Sequence, residues 1–188
     1  MPEILNLQFI LVPINFEFKA RHQDIAYLER KLQNLTPKFI GEDHQVDTYF
    51  LVPHGRLKLR EGSIEKALIH YERADDAAAK QSTVLLYTPN PDGNLKEVLT
   101  KALGIKAIVD KRRKIYFIDN VKFHFDEVKE LGSFVEVEAI DKTGTLGLLK
   151  LQEQCGFYQN LFHLIQKDFI AQSYSDLILA KKSSTSLS

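Results

Sequence analysis

Alternation of apolar and charged positions is the dominant pattern along the chain. Asn15-Phe16-Glu17-Phe18-Lys19 reads polar, apolar, acidic, apolar, basic, so as a strand it sets Asn15, Glu17 and Lys19 on one face. The period then changes. Ile25, Leu28, Leu32 and Leu35 recur at helical spacing, with Asp24 as N-cap and Pro37 as terminator. Gln45–Val52 reads as a strand, followed by turn chemistry at Pro53-His54-Gly55. Arg56-Leu57-Lys58-Leu59-Arg60 alternates strictly and gathers three cations on one face. Gly62–Glu65 is a turn into Ala67–Arg73, where alternation alone leaves open whether Ile69, Tyr71 and Arg73 or Leu68, His70 and Glu72 face inward.

Asp75–Lys80 reads as a polar loop, Gln81–Thr88 as a strand and Pro89–Gly93 as a loop. A short helix carries Leu95, Val98, Leu99, Ala102 and Leu103, capped by Asp92 or Asn94 and stopped at Gly104. Ile105–Ile118 makes one or two strands around Lys111-Arg112-Arg113-Lys114, and Asp119-Asn120 is a hairpin turn. Lys122–Asp126 and Phe134–Ala139 are strands on either side of a turn at Gly132. Leu146–Cys155 reads as a helix stopped near Gly156, Asp168–Leu179 as a closing helix, and Lys181–Ser188 as a frayed polar tail. About eight strands, mostly hairpin-linked and interrupted by helices, predict an α+β fold: an antiparallel eight-stranded sheet curled into a barrel, with helices packed outside. Residues 1–180 are expected to form one domain.

Composition narrows the function classes. The 188 residues include 25 basic and 25 acidic side chains, a net charge of zero, which speaks against a general nucleic-acid or membrane-surface binder. The apolar opening around Phe9–Val12 lacks a basic flank and a cleavage site, so it reads as an extra strand or packing segment. No run approaches the roughly 20 apolar residues of a spanning helix. A single cysteine, Cys155, allows no internal disulfide; it reads as a helix-packing residue, and the cytoplasm as the expected compartment.

The strands share an unusual feature. Their non-apolar faces carry Glu17 and Lys19, then Arg56, Lys58 and Arg60, then Arg73, Lys111 and Arg113, then Lys122, His124 and Asp126, then Glu136 and Glu138. A half-buried sheet with its charged side in water accounts for the same alternation. Two features tell against it. These faces are almost wholly ionisable, where solvated strands use Thr, Ser and Gln freely. Cations at alternate positions also repel unless an anion lies between them, as a polyphosphate would. Neighbouring carboxylates would then hold Mg²⁺, which prefers a few carboxylate oxygens together with phosphates and water. His70, His124 and His163 lack metal-ligand spacing and read as surface or packing residues, and Tyr49 and Tyr71 as core more than base-stacking residues. No Gly-x4-Gly-Lys loop is present.

Glu17-Phe18-Lys19, Arg56–Arg60, Tyr71-Glu72-Arg73, Lys111-Arg112-Arg113, Phe125–Val128 and Leu131–Glu138 occur in the order found in one family. From about Asn15 to Leu179 the chain resembles the CYTH superfamily: class IV adenylyl cyclases, thiamine triphosphatases and inorganic triphosphatases. Lys122–Glu138 is most similar to the cyclase-like branch. The resemblance implies a triphosphate tunnel whose phosphates are gripped by Lys19, Arg56, Lys58, Arg60, Arg73, Lys111 and Arg113. It implies Mg²⁺ or Mn²⁺ on Glu17, Asp126, Glu136 and Glu138, with Glu17 and Glu136 catalytic. ATP, thiamine triphosphate or inorganic triphosphate would be the partner, with no nucleic acid or membrane, and a homodimer is compatible.

One position departs from the family's Glu-x-Glu-x-Lys signature: Asn15 stands where the first glutamate would be. An amide oxygen can ligate Mg²⁺ but brings no charge and cannot act as a base. The implied activity is hydrolysis of a triphosphate; the alternatives are cyclisation of ATP to cyclic AMP and pyrophosphate, or triphosphate binding without turnover.

Overall fold

The computed structural model describes residues 14–72, 83–90 and 93–185. Arg73, the opening segment 1–13, the loop 75–80 and Asp92 lie outside the described residues. The elements are β1 (Ile14–Arg21), α1 (Ile25–Gln33), β2 (Lys38–Phe50), β3 (Arg56–Glu61), β4 (Ala67–Glu72) and β5 (Thr83–Tyr87). Then follow α2 (Leu95–Leu103), β6 (Ile105–Ile118), β7 (Val121–Val128), β8 (Gly132–Asp141), α3 (Gly147–Leu161), a short 3-10 turn and α4 (Tyr174–Thr185). All eight strands form one antiparallel sheet in the order β1-β8-β7-β6-β2-β3-β4-β5. Among the described residues the sheet curls into a half-barrel with β1 and β5 at its two ends, the expected architecture.

Directly paired residues share a face, so the register sorts every side chain. One face carries Phe18 and Ala20 of β1, Val135, Val137 and Ala139 of β8, Phe123 and Phe125 of β7 and Tyr116 of β6. It is covered by Leu28 and Leu32 of α1 and by Leu151, Cys155 and Tyr158 of α3, all in one buried cluster. Asp24 caps α1 by accepting from the Tyr27 amide at 2.8 Å. Cys155 is fully buried in this cluster, where burial pushes its thiol up to about 12, which suits packing and not nucleophilic chemistry.

Three elements differ from the sequence reading. β2 begins at Lys38, not Gln45, because a bulge between Phe39 and Gly41 interrupts the alternation that marks a strand. α3 runs through Gly156 to Leu161, because that glycine keeps a helical backbone and does not take the left-handed conformation that ends a helix. The closing helix begins at Tyr174 instead of Asp168, and it reaches Thr185, inside the stretch that composition marked as a tail.

Candidate functional site

The opposite face of the same register is the charged one. β1 gives Asn15, Glu17 and Lys19; β8 gives Glu136 and Glu138; β7 gives Lys122, His124 and Asp126. β6 gives Lys111 and Arg113, β2 gives Asp43, Gln45, Asp47 and Tyr49, and β3 gives Arg56, Lys58 and Arg60. Pairing with β3 also settles β4: Ile69 and Tyr71 share the charged face. Curling turns this face inward, and side chains bridge strands that are not neighbours. Arg113 of β6 reaches Glu136 of β8 at 2.8 Å, and Lys122 of β7 is bonded to Glu65 from the β3–β4 turn.

Asp47 lies at the centre of the basic half and is 1% exposed. Its carboxylate takes Lys111 Nζ at 2.8 Å, Lys58 Nζ at 3.2 Å and Arg60 Nε at 2.8 Å. Burial would raise this carboxyl, but Lys58, Lys111 and Arg60 outweigh it and hold it well below the usual range. Three cations meet this carboxylate, and Arg60 alone of them also reaches a second one, Glu65. Lys111 feels the crowding on top of its burial: burial lowers it most, Asp47 opposes, and with Arg60, Arg113 and Lys58 also repelling it the ammonium falls to about 7.

Asp43 and Glu65 support this half. Asp43, fully buried, accepts from the backbone of Ser63 (2.6 Å), Ile64 (3.0 Å) and Glu65 (2.9 Å), and so shapes the β3–β4 turn. Gly62 is required there, because a Cβ would stand 2.6 Å from Asp43 Oδ2 and 2.8 Å from the Glu65 carbonyl. The turn thereby delivers Glu65 to Arg60 at 2.9 Å and to Lys122.

The other half is acidic. Glu17 stands directly across from Glu138, and Lys19 across from Glu136. Glu136 is held well below the usual carboxylate range: burial alone would raise it, but Lys19 at 3.3 Å and Arg113 prevail. Glu138 goes the other way, raised to about 7 by burial and by Glu17 opposite it. Asn15 donates to Glu138 at 2.7 Å, and its Oδ1 is buried without a hydrogen-bond partner among the described residues. Glu17, Glu138 and that amide oxygen are hard donors suited in kind to Mg²⁺ or Mn²⁺. Among the described residues no three acidic, His or Cys side chains converge closely enough to form a ready-made ion site. Asp126 is engaged differently: it is fully buried, meets Arg113 Nε at 2.7 Å and accepts from Tyr174 Oη at 2.8 Å.

The structure thus brings together Glu17, Lys19, Arg56, Lys58, Arg60, Lys111, Arg113, Asp126, Glu136 and Glu138 on one inward face. Sequence reasoning missed Asp43, Asp47, Glu65, Tyr174 and Asp176. The first two carry a visible signal, since Asp43-Gln45-Asp47-Tyr49 repeats at period two. Glu65 sits in a turn, where no period applies. Tyr174 and Asp176 come from α4, which packs its Tyr174 and Ile178 on Val109, Val128 and Phe134 of this face; Asp176 meets Arg56 at 2.9 Å. No helix among the described residues is long and apolar enough to cross a membrane.

Comparison with known proteins agrees with the geometry. No curated protein gives a significant match. Among solved structures, the PH1012 protein of Pyrococcus horikoshii OT3 is similar with a TM-score of 0.73 at 23% identity, over 87% of this chain and 98% of that one. A candidate adenylate cyclase of Vibrio parahaemolyticus superposes with a TM-score of 0.70 at 18% identity, over 88% of this chain and 97% of its own. A candidate adenylyl cyclase of Hippeastrum, described as having a dominant triphosphatase activity, gives 0.58 at 8% identity, over 91% and 96% of the two chains. At these identities the likeness is one of fold. The family model for the CYTH domain matches residues 13–174, the whole described sheet with α1 to α3, and the chain belongs to the CYTH domain family.

Proposed function

We propose that this protein is a divalent-cation-dependent phosphohydrolase acting on an organic or inorganic triphosphate. The observation that supports the reading is the crowding of cations around Asp47: Lys58, Arg60 and Lys111 all meet this one buried carboxylate, with Glu65 as a second partner for Arg60 alone, and Lys111 is lowered to about 7 by burial first and by its cationic neighbours after it. A linked polyphosphate is the ligand that would restore the balance. Arg60 and Arg113 offer planar forks to its oxygens; Lys19, Lys58 and Lys111 offer point charges. Arg73, outside the described residues, would extend the same track.

Glu17, Glu136 and Glu138 would hold the cation, with Asn15 Oδ1 as a neutral donor. A bound divalent cation supplies positive charge against the reacting phosphoryl group. Asp126 serves chiefly to fix Arg113, because its two oxygens are already taken by the guanidinium and by Tyr174. Phosphoryl transfer asks mostly for positioning and charge stabilisation, which such a face provides.

The test is a panel of ATP, thiamine triphosphate and inorganic tripolyphosphate with Mg²⁺ or Mn²⁺, reading orthophosphate, pyrophosphate and cyclic AMP separately. Orthophosphate is the expected product. Cyclic AMP with pyrophosphate would make the protein a cyclase, and tight binding with no product would make it a triphosphate-binding protein.

A further inference from the structure

His124 is a buried interior residue, 5% exposed, on the charged face of β7 between Lys122 and Asp126. Its Nδ1 lies 3.4 Å from Oε2 of Glu136, while Nε2 is buried with no hydrogen-bond partner among the described residues. A carboxylate beside Nδ1 selects the tautomer with its proton there, since the other tautomer sets a lone pair against a negative oxygen. Nε2 is then a bare acceptor. An unprotonated phosphate oxygen is an acceptor too and cannot satisfy it; a donor such as the O–H of a water or an alcohol can.

A second acceptor points the same way. Gln45, fully buried, donates its amide to Asp43 at 2.9 Å and to Glu65 at 3.0 Å, which fixes Oε1 as the remaining acceptor, also without a partner. Glu65 borders both groups: it accepts from Gln45 and interacts electrostatically with His124. The charged face therefore holds two buried acceptors, His124 Nε2 and Gln45 Oε1, that a donor such as a hydroxyl would satisfy.

We propose that His124 is a further catalytic residue, whose Nε2 accepts a hydrogen bond from the attacking oxygen and aims it at the phosphorus held beside Arg113 and Glu136. The inference rests on the triphosphate reading above. The attacking oxygen bonds to phosphorus as the bond to the leaving phosphate oxygen breaks. The leaving phosphate takes the electron pair, and the proton displaced from the nucleophile departs with it. His124 orients the O–H group and undergoes no net change. The nucleophile is a water in hydrolysis or a substrate hydroxyl in cyclisation, and the same acceptor serves either.

The competing role is that His124 only props Glu136, and two substitutions separate the cases. His124→Asn keeps a donor near the Nδ1 position and removes the acceptor; His124→Gln puts an amide near Nε2 and gives up the contact with Glu136. With Mn²⁺ and tripolyphosphate, His124→Asn should lower kcat by about 100-fold while changing KM less than about threefold, and His124→Gln should recover about tenfold of that loss. His124→Asn within twofold of the unmodified protein, or His124→Gln the poorer of the two, would overturn the proposal. Because tripolyphosphate offers no ribose hydroxyl, loss of its hydrolysis assigns a water as the oriented oxygen. Nitrogen-15 NMR of histidine-labelled, unmodified protein gives a readout independent of turnover and of any variant's folding: a bare Nε2 is expected, and a protonated Nε2 overturns the assignment. An unmodified protein inert towards every triphosphate would sink the phosphohydrolase reading together with this one, whereas an active protein indifferent to His124→Asn would sink this one alone.

Discussion

Asn15 donates a hydrogen bond from Nδ2 to Oε1 of Glu138 at 2.7 Å, across the β1–β8 pairing. The amide thus does for Glu138 what a second carboxylate could not, since Glu17 already faces it. Asn15→Glu would put a third negative charge at this edge. In the cation-free protein it should lower the melting temperature at pH 8, and it should reduce the Mn²⁺ concentration for half-maximal activity by about tenfold. An unchanged metal titration would mean that Asn15 is not near the cation.

Glu138 titrates at about 7, above the ordinary value for a glutamate, because of burial and Glu17. The unfolded chain therefore loses this proton first as pH rises, and stability falls between the ordinary value and 7, by up to ~3 kcal/mol. Glu138→Gln should raise the melting temperature of the cation-free protein by roughly 5 °C at pH 8 and leave it unchanged at pH 4. Thermal unfolding at the two pH values checks this, and Mn²⁺ should reverse the order at pH 8.

Lys111 is lowered to about 7 by burial against the partial compensation of Asp47. Polyphosphate binding should raise it again, so binding at pH 8 should take up a proton. Calorimetry in two buffers of different ionisation enthalpy measures that uptake. Lys111→Met should abolish it and weaken tripolyphosphate binding by about tenfold; uptake unchanged in the variant would place the proton elsewhere.

Asp47→Asn leaves Lys58, Arg60 and Lys111 around a neutral amide. Removing one partner of a buried ion cluster costs roughly 3–5 kcal/mol. The variant should melt well below the unmodified protein, and tripolyphosphate should raise its melting temperature by more than it raises that of the unmodified protein. Equal ligand-induced shifts would show that the anion does not enter the Asp47 cluster.

The charged face was legible in sequence because strands alternate at period two: once Leu57 and Leu59 are set apart from Arg56, Lys58 and Arg60, the face follows. Position along a strand carried the reading; groups off the strands escaped it. Glu65 reaches Arg60 and Lys122 only because Asp43 folds its turn. Asp176 meets Arg56 from a helix 120 residues further along the chain. Alternation also failed inside β2, where the bulge at Phe39–Gly41 shifts the register. His124 read as a packing residue because spacing tests for metal ligands and says nothing of a lone acceptor. What decides its role is the tautomer set by Glu136, a contact between two strands.

Each described cation expected to grip phosphate is already tied to a carboxylate: Lys19 to Glu136, Arg56 to Asp176, Lys58 and Lys111 to Asp47, Arg60 to Asp47 and Glu65, Arg113 to Asp126 and Glu136. Entry of the proposed ligand would therefore be an exchange of partners. A lone orthophosphate or sulfate replaces one anion by another and gains little. Linked phosphates differ, because once the first is seated the next are presented to their cations at high effective concentration. On the proposed reading, internal competition of this kind would filter ligands by the number of connected charges, favouring a chain of three over single anions.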